Sequence, residues 1–361
     1  MPTPEFRPLP VTIEEIDRDW LNAALRARAP ELEVRDFEIT GMKRSTCTKV
    51  WLRLALNNAG HAAGVPQSVV LKGGFEPHSR HMHYMHEREV QAYRDVFPVL
   101  KLHTPACYFA DYDAERKQGI VIMEDLVARG VTFCDPLKPQ THEVVARRLR
   151  ALARFHAQSW NSPDFAAGGR WDWVDDLLQN QRRYFNQYLE PEVWQRFVSS
   201  PRGAASSVRF HDRQWMSDAL DRMASFGKTL PHSIIHGDTH LGNLYLEKDG
   251  TPGFFDSLTH RAPPMVEVTY HLVCALDTAD RARWEGALVQ HYLDELAACG
   301  VKGPGFDEAM HQFGVFLPYA HCIFIINESI FQPEAINTAY TARISTAMID
   351  HRTKELLEGI G

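Results

Sequence analysis

His236-Gly237-Asp238-Thr239-His240-Leu241-Gly242-Asn243, with Asp256 following the apolar run Gly253-Phe254-Phe255, is the stretch that decides how this 361-residue chain folds. Moving a γ-phosphoryl group needs one carboxylate at the attacking hydroxyl and further oxygen ligands to hold Mg²⁺ against the phosphates. Asp238, Asn243 and Asp256 can supply that set, with Asp238 as the catalytic carboxylate and Asn243 and Asp256 as the metal ligands. Leu244-Tyr245-Leu246 and Pro252-Gly253-Phe254-Phe255 flank Asp249-Gly250, a pattern that predicts two short strands around a turn. Such a hairpin returns Asp256 toward Asn243. The competing reading, a His-Gly-Asp surface turn, leaves the number of specified residue types in so short a stretch unexplained.

On these residues the chain resembles the kinase-like small-molecule phosphotransferases, which include aminoglycoside phosphotransferases, choline kinases and ecdysteroid-kinase-like proteins. It most resembles the last of these. The resemblance implies an α+β, two-lobed protein-kinase-like fold with a small, mostly antiparallel β lobe and a larger helical lobe. It also implies a lysine on a strand, a glutamate on the next helix and a hinge strand for adenine.

Each has a counterpart upstream of the motif. Ser68-Val69-Val70-Leu71-Lys72-Gly73-Gly74 is an apolar run ending in a lysine, suited to a buried strand that delivers an ammonium to the α- and β-phosphates of ATP. His86 to Phe97 reads as a helix before Pro98, and Glu89, Tyr93 and Pro98 meet the family's spacing; Glu89 is then the partner of Lys72, with Glu87 competing. Gly119-Ile120-Val121-Ile122-Met123-Glu124-Asp125-Leu126 is similar to the hinge, where backbone groups from Glu124 to Leu126 can bind the adenine edge. The resemblance also implies the plainer role for Glu124 and Asp125, capping the first helix of the large lobe. Gly41 to Trp51 offers one glycine and the hydroxyls of Ser45, Thr46 and Thr48 as a phosphate-covering loop.

The domains expected are residues 1–125, a nucleotide-binding lobe, and 126–361, a helical lobe with the catalytic loop. Thr12-Ile13-Glu14-Glu15 reads as a capping box opening a helix over 16–27. Stretches from Glu33 to Thr40, Trp51 to Leu56, Val69 to Lys72, Ala106 to Ala110 and Gly119 to Met123 form the small sheet. Beyond Leu126 the helical period takes over, as in Val144 to Ala157, and Ser199 to Ser207 reads as a loop. Residues 170–230 form a helical insertion rich in aromatics (Trp171, Trp173, Tyr184, Phe185, Tyr188, Trp194, Trp215). The resemblance implies that the acceptor binds between it and helices around Phe306 to Glu328; core packing is the plainer explanation of those rings.

Composition excludes several classes. The chain is 44% hydrophobic and 24% charged, carries a formal net charge of −7 and shows no block of Lys or Arg, which argues against a nucleic-acid partner. No apolar run reaches transmembrane length and Met1 to Phe6 lacks a signal pattern, so a soluble, cytoplasmic protein with no membrane partner is expected. The six cysteines stand far apart, as reduced thiols would. His78, His81, His83 and His86 do not share a helix face and read as a loop entering a helix rather than a zinc site. His236 reads as a packing and backbone-bonding residue, and His240 is open. After Asp256 the chain departs from its relatives, with Ser257-Leu258 for the usual aromatic and Gln or Glu, and Glu267 for an aspartate. Arg261 is either a phosphate or substrate contact or a surface residue. The expected activity is ATP- and Mg²⁺-dependent transfer to a hydroxyl of a small molecule. Two alternatives stay open: a catalytically inactive binding protein of the same fold, and ATP-dependent activation of a carboxylate. The acceptor and the oligomeric state are not readable from the chain.

Overall fold

A computed structural model describes residues 8–360, so Met1 to Phe6, expected to lack a leader, lies outside the described residues. The chain forms two compact units, residues 1–131 with 255–258, and residues 132–254 with 259–361.

The first unit is built on an antiparallel sheet in the order β1 (Val34–Lys43), β2 (Thr48–Leu56), β3 (Ser68–Gly73), β5 (Gln118–Glu124), β4 (Cys107–Asp113). Strand alternation gives it two faces. Val50, Leu52, Leu54, Val69, Leu71, Ile120 and Ile122 pack against Trp20, Leu21 and Leu25 of the helix Arg18–Arg26. Val70, Val121 and Met123 point the other way, onto Val90 and Tyr93. Lys72, two residues from Val70, shares this second face with the helix His83–Gln91 and so meets Glu89. That helix widens into a π-turn over Ala92–Val96 before Pro98, an irregularity frequent at functional sites.

The expected capping box does not form. Ile13–Glu15 is an isolated 3₁₀ turn, Thr12 makes no side-chain cap, and Ile16 is extended and buried. Asp17 caps the helix instead, accepting from Trp20 N at 2.6 Å, because a carboxylate at an N-terminus satisfies an orphan amide and faces the positive end of the helix dipole. The turn Leu126–Arg129 belongs to the first unit: Asp125 caps it through Val127 N at 3.0 Å and accepts from Ser68 Oγ of β3 at 2.6 Å.

In the second unit β6 (Thr132–Phe133) pairs with β8 (Leu244–Leu246), which pairs with β9 (Pro252–Phe254), while β7 (Ser233–Ile235) pairs with β10 (His260–Ala262). The expected hairpin is β8 and β9, with Leu244 opposite Phe254. Gly250 turns it at φ +82°, where a side chain would be strained. The rest is helical. All eleven residues of Met265–Ala275 are buried, as expected for a helix apolar over most of its surface. Phe306–Ile326 corrects the expectation that no apolar stretch is long enough to cross a membrane; it passes that test, but most of it is buried inside the unit as a core helix. Pro201–Ala204, expected as loop, is a short helix because Ser200 caps it through Gly203 N.

Candidate active site

In the second unit, β7 delivers His236 to Asn243, and the buried helix Met265–Ala275 grips this loop residue by residue. Glu267 accepts from Gly237 N at 2.7 Å and His236 N at 3.1 Å, and from His156 Nε2 at 2.9 Å. Tyr270, one turn on, donates its hydroxyl to Asp238 Oδ1 at 2.8 Å, and His271 donates Nδ1 to the Thr239 carbonyl at 3.0 Å. The spacing i, i+3, i+4 puts all three on one helix face. Gly237 has φ +86°, which lets its amide turn to Glu267. Burial works to raise the Glu267 carboxyl, but His156 and the loop amides outweigh it and hold the group lowered, so the anchor is an ionised carboxylate.

Asp238 is therefore fixed on both oxygens. Oδ1 accepts from Tyr270 and Oδ2 from Asn243 Nδ2 at 2.8 Å, while Asn243 Nδ2 also donates to the Asp238 carbonyl at 3.0 Å. His236 serves as a backbone-bonding residue, Nδ1 accepting from Asp238 N at 3.3 Å. His240, left open by the sequence, caps the turn Leu241–Asn243 through Gly242 N at 3.0 Å, its ring set edge-on to Phe324 and Tyr340. Tyr270 stacks on Phe324 at 5.6 Å. Tyr270 was missed in the sequence; its place one helical turn after Glu267 is the signal that could have found it.

In the first unit, Lys72 Nζ lies 2.6 Å from Glu89 Oε2 and 2.9 Å from Asp256 Oδ1, so the lysine, the helix glutamate and the acid after Phe255 meet in one cluster. Lys49, which the sequence reading passed over, adds a second ammonium at 2.8 Å from Asp256 Oδ2. Burial tends to raise the Asp256 carboxyl, but Lys49 and Lys72 outweigh it and hold it well below the usual carboxylate range. Asp256 adopts φ +57°, a left-handed conformation that costs a non-glycine residue free energy and clusters at functional sites. Glu87 does not enter the cluster; Glu89 is the buried one.

Each unit, taken by itself, offers one oxygen donor of the kind Mg²⁺ takes. Asp256 is ionised and already carries two positive charges, and Asn243 uses Nδ2 on Asp238 while no hydrogen bond reaches its Oδ1 among the described residues. Hard oxygen donors of this type are what that ion takes.

The remaining expectations divide. Thr48 donates to Glu76 Oε1 at 2.8 Å and Ser45 to the Cys47 carbonyl at 3.1 Å, so their hydroxyls brace the loop; Thr46 alone of the three makes no hydrogen bond among the described residues. Arg44 and His78 tie the same loop down, to Glu76 and to the Ser45 carbonyl. At the hinge Glu124 pairs with Arg129 at 2.8 Å, and the Asp125 and Leu126 carbonyls are used within the turn, leaving the Asp125 and Leu126 amides without such bonds among the described residues. Among the described residues no three His, Cys, Asp or Glu side chains could share a metal, His78 to His86 included. None of the six cysteines is in a disulfide. Trp171, Phe185 and Trp194 are buried as packing rings, while Trp173, Tyr184, Tyr188 and Trp215 keep partial exposure. Arg261 lies over the Phe165 ring, and its amide bonds the Asp175 carbonyl.

Comparison with known proteins gives the same fold. A protein of Ralstonia eutropha assigned as an aminoglycoside phosphotransferase is 15% identical with a TM-score of 0.55, covering 93% of this chain and 98% of that one. The choline kinase LicA of Streptococcus pneumoniae is 10% identical with a TM-score of 0.52, over 94% and 99% of the two chains. The aminoglycoside phosphotransferase APH(2″)-IIIa, solved with GDP and kanamycin, is 10% identical with a TM-score of 0.51, over 92% and 98%. No curated protein sequence matches this one. The sequence matches the ecdysteroid kinase-like family over residues 45–302, a span that holds both the Lys72 cluster and the Asp238 loop, and the chain belongs to that family.

Proposed function

We propose that this protein transfers the γ-phosphoryl group of ATP, with Mg²⁺, to a hydroxyl of a small molecule. The observation that carries the reading is Lys72 held between the carboxylates of Glu89 and Asp256, a buried cation fixed where two oxygens position it. An ammonium so fixed binds the α- and β-phosphates without having to be ordered first. Asn243 Oδ1 and the Asp256 carboxylate would hold the metal, which when bound neutralises charge on the phosphates.

Asp238 orients the acceptor hydroxyl and takes its proton. Tyr270 and Asn243 hold that carboxylate in one rotamer, so it acts by position and charge. The Asp125 and Leu126 amides are the hinge donors offered to an adenine edge. The net charge of −7 favours a small-molecule acceptor over a polyanion, and a cytoplasmic location supplies the nucleotide.

The test is Mg²⁺-dependent ADP release across a library of small alcohols, with wild type beside Asp238→Asn and Asp256→Ala. Acceptor-stimulated release that both variants lose supports the kinase and identifies its substrate class. Tight binding of Mg·ATP with no release above the variants replaces it with a nucleotide-binding protein.

A further inference from the structure

Lys49 and Lys72 stand directly opposite each other on β2 and β3. They share the sheet face of Trp51 and Val70, which are also cross-strand neighbours. Like charges in that relation repel and destabilise a sheet unless an anion lies between them. Here the anion is Asp256, with Lys49 on Oδ2 at 2.8 Å and Lys72 on Oδ1 at 2.9 Å. The Lys49 ammonium also rests 5.1 Å from the centroid of the Phe255 ring.

The two lysines are not equivalent. Lys72 is 7% exposed and pairs with Glu89 at 2.6 Å; Lys49 is 23% exposed and, among the described residues, has no carboxylate partner but Asp256. Two ammoniums face two carboxylates, so the cluster is neutral only while Asp256 answers to the lysines. Were Asp256 to serve as a metal ligand, both ammoniums would be left against Glu89 alone. One positive charge, on the more exposed and flexible of the two side chains, then needs an anion.

We propose that Lys49 is a second phosphate-binding lysine, one that occupies Asp256 in the nucleotide-free protein and passes to a phosphate oxygen of a nucleoside triphosphate when a divalent cation takes the carboxylate. This rests on the phosphotransferase reading above and adds a residue to its nucleotide site. The pairing guards a strained acid against an unpaired state, and it supplies a charge that arrives with the triphosphate.

The experiment is calorimetric titration of the full chain with Mg·ATP, together with adenosine binding by saturation-transfer NMR, for wild type, Lys49→Met and Lys49→Arg. Lys49→Met should weaken Mg·ATP binding roughly 10- to 100-fold, the range for one charge-assisted hydrogen bond. Lys49→Arg should recover most of that loss, and adenosine should bind all three proteins alike. Equal Mg·ATP affinity in wild type and Lys49→Met overturns the proposal and leaves the phosphotransferase reading standing. Parallel loss of adenosine and Mg·ATP binding also overturns it, because a merely structural lysine would move both. A wild-type chain that binds adenosine but not Mg·ATP overturns the reading itself, and the Lys49 role with it.

Discussion

The two aspartates of this protein are held in opposite ways. Asp256, in the sheet unit, is held by charge, with Lys49 and Lys72 on its two oxygens and backbone strain at its own Cα. Asp238, in the helical unit, is held by the Tyr270 hydroxyl and the Asn243 amide, with its loop pinned through Glu267. A carboxylate compensated by cations can exchange one cation for another, which suits a metal ligand. A carboxylate held on both oxygens by hydrogen-bond donors keeps one orientation toward a reacting hydroxyl, which suits a base. The same side chain thus stands in two different settings, set by its neighbours.

The largest test of that contrast is to remove each charge. Asp238→Asn should lower turnover by roughly 10²- to 10⁴-fold, the usual reach of a positioned acid or base, while Mg·ATP affinity by calorimetry stays within a few-fold. Asp256→Asn should weaken Mg·ATP binding itself. If both variants lose binding equally, the division of labour between them is wrong.

Next in size is the anchor under the Asp238 loop. Glu267→Ala leaves two backbone amides and the His156 imidazole without their buried partner, which should cost about 3–5 kcal/mol of folding stability in urea denaturation. A loss below about 1 kcal/mol would mean that the loop holds its shape without the helix.

Acid should act unequally on the two units, each taken by itself. Burial pushes His86 in the sheet unit down to about 4; burial, with Arg148 nearby, pushes His271 in the helical unit to about 4, and burial pushes His321 to about 3. A histidine whose folded pKa lies below its unfolded value is neutral in the fold when the unfolded chain already binds a proton, so stability falls as pH drops from about 6.5 toward 4. At pH 5 each contributes a loss on the order of 2 kcal/mol relative to pH 7, two of the three in the helical unit. His271→Gln and His321→Gln should each flatten the pH dependence of the urea midpoint. An unchanged slope would contradict the buried neutral state.

The smallest effect expected is from Tyr270→Phe. Deleting one hydrogen bond to Asp238 should lower kcat about tenfold with nucleotide affinity unchanged, at the low end for a bond to a charged group. Turnover equal to wild type would show that Asn243 alone orients the acid.

Much of this was legible in the chain because it is local. The motif from His236 to Asn243, the Asp249-Gly250 turn and the apolar runs of β3 and β5 read out from short-range periodicity and turn chemistry, and the family match spans them. The pairing of Lys72 with Glu89 was accessible through the family resemblance, whose spacing Glu89, Tyr93 and Pro98 meet. The missed capping by Asp17 shows the limit: two N-terminal signals lay five residues apart, and the burial of Ile16 decided between them.

Other assignments needed the folded chain. That Lys49 faces Lys72 depends on the register of β2 against β3, and a slip of one residue would turn it to the opposite face. That Tyr270 reaches Asp238 depends on the rotational setting of a helix buried on every side, which its apolar pattern leaves undetermined. The sequence by itself therefore determined which groups could perform the chemistry and which elements carry them. Tertiary structure alone decided which neighbour each group meets, because register and helix phase are set by packing over distances that no local pattern records.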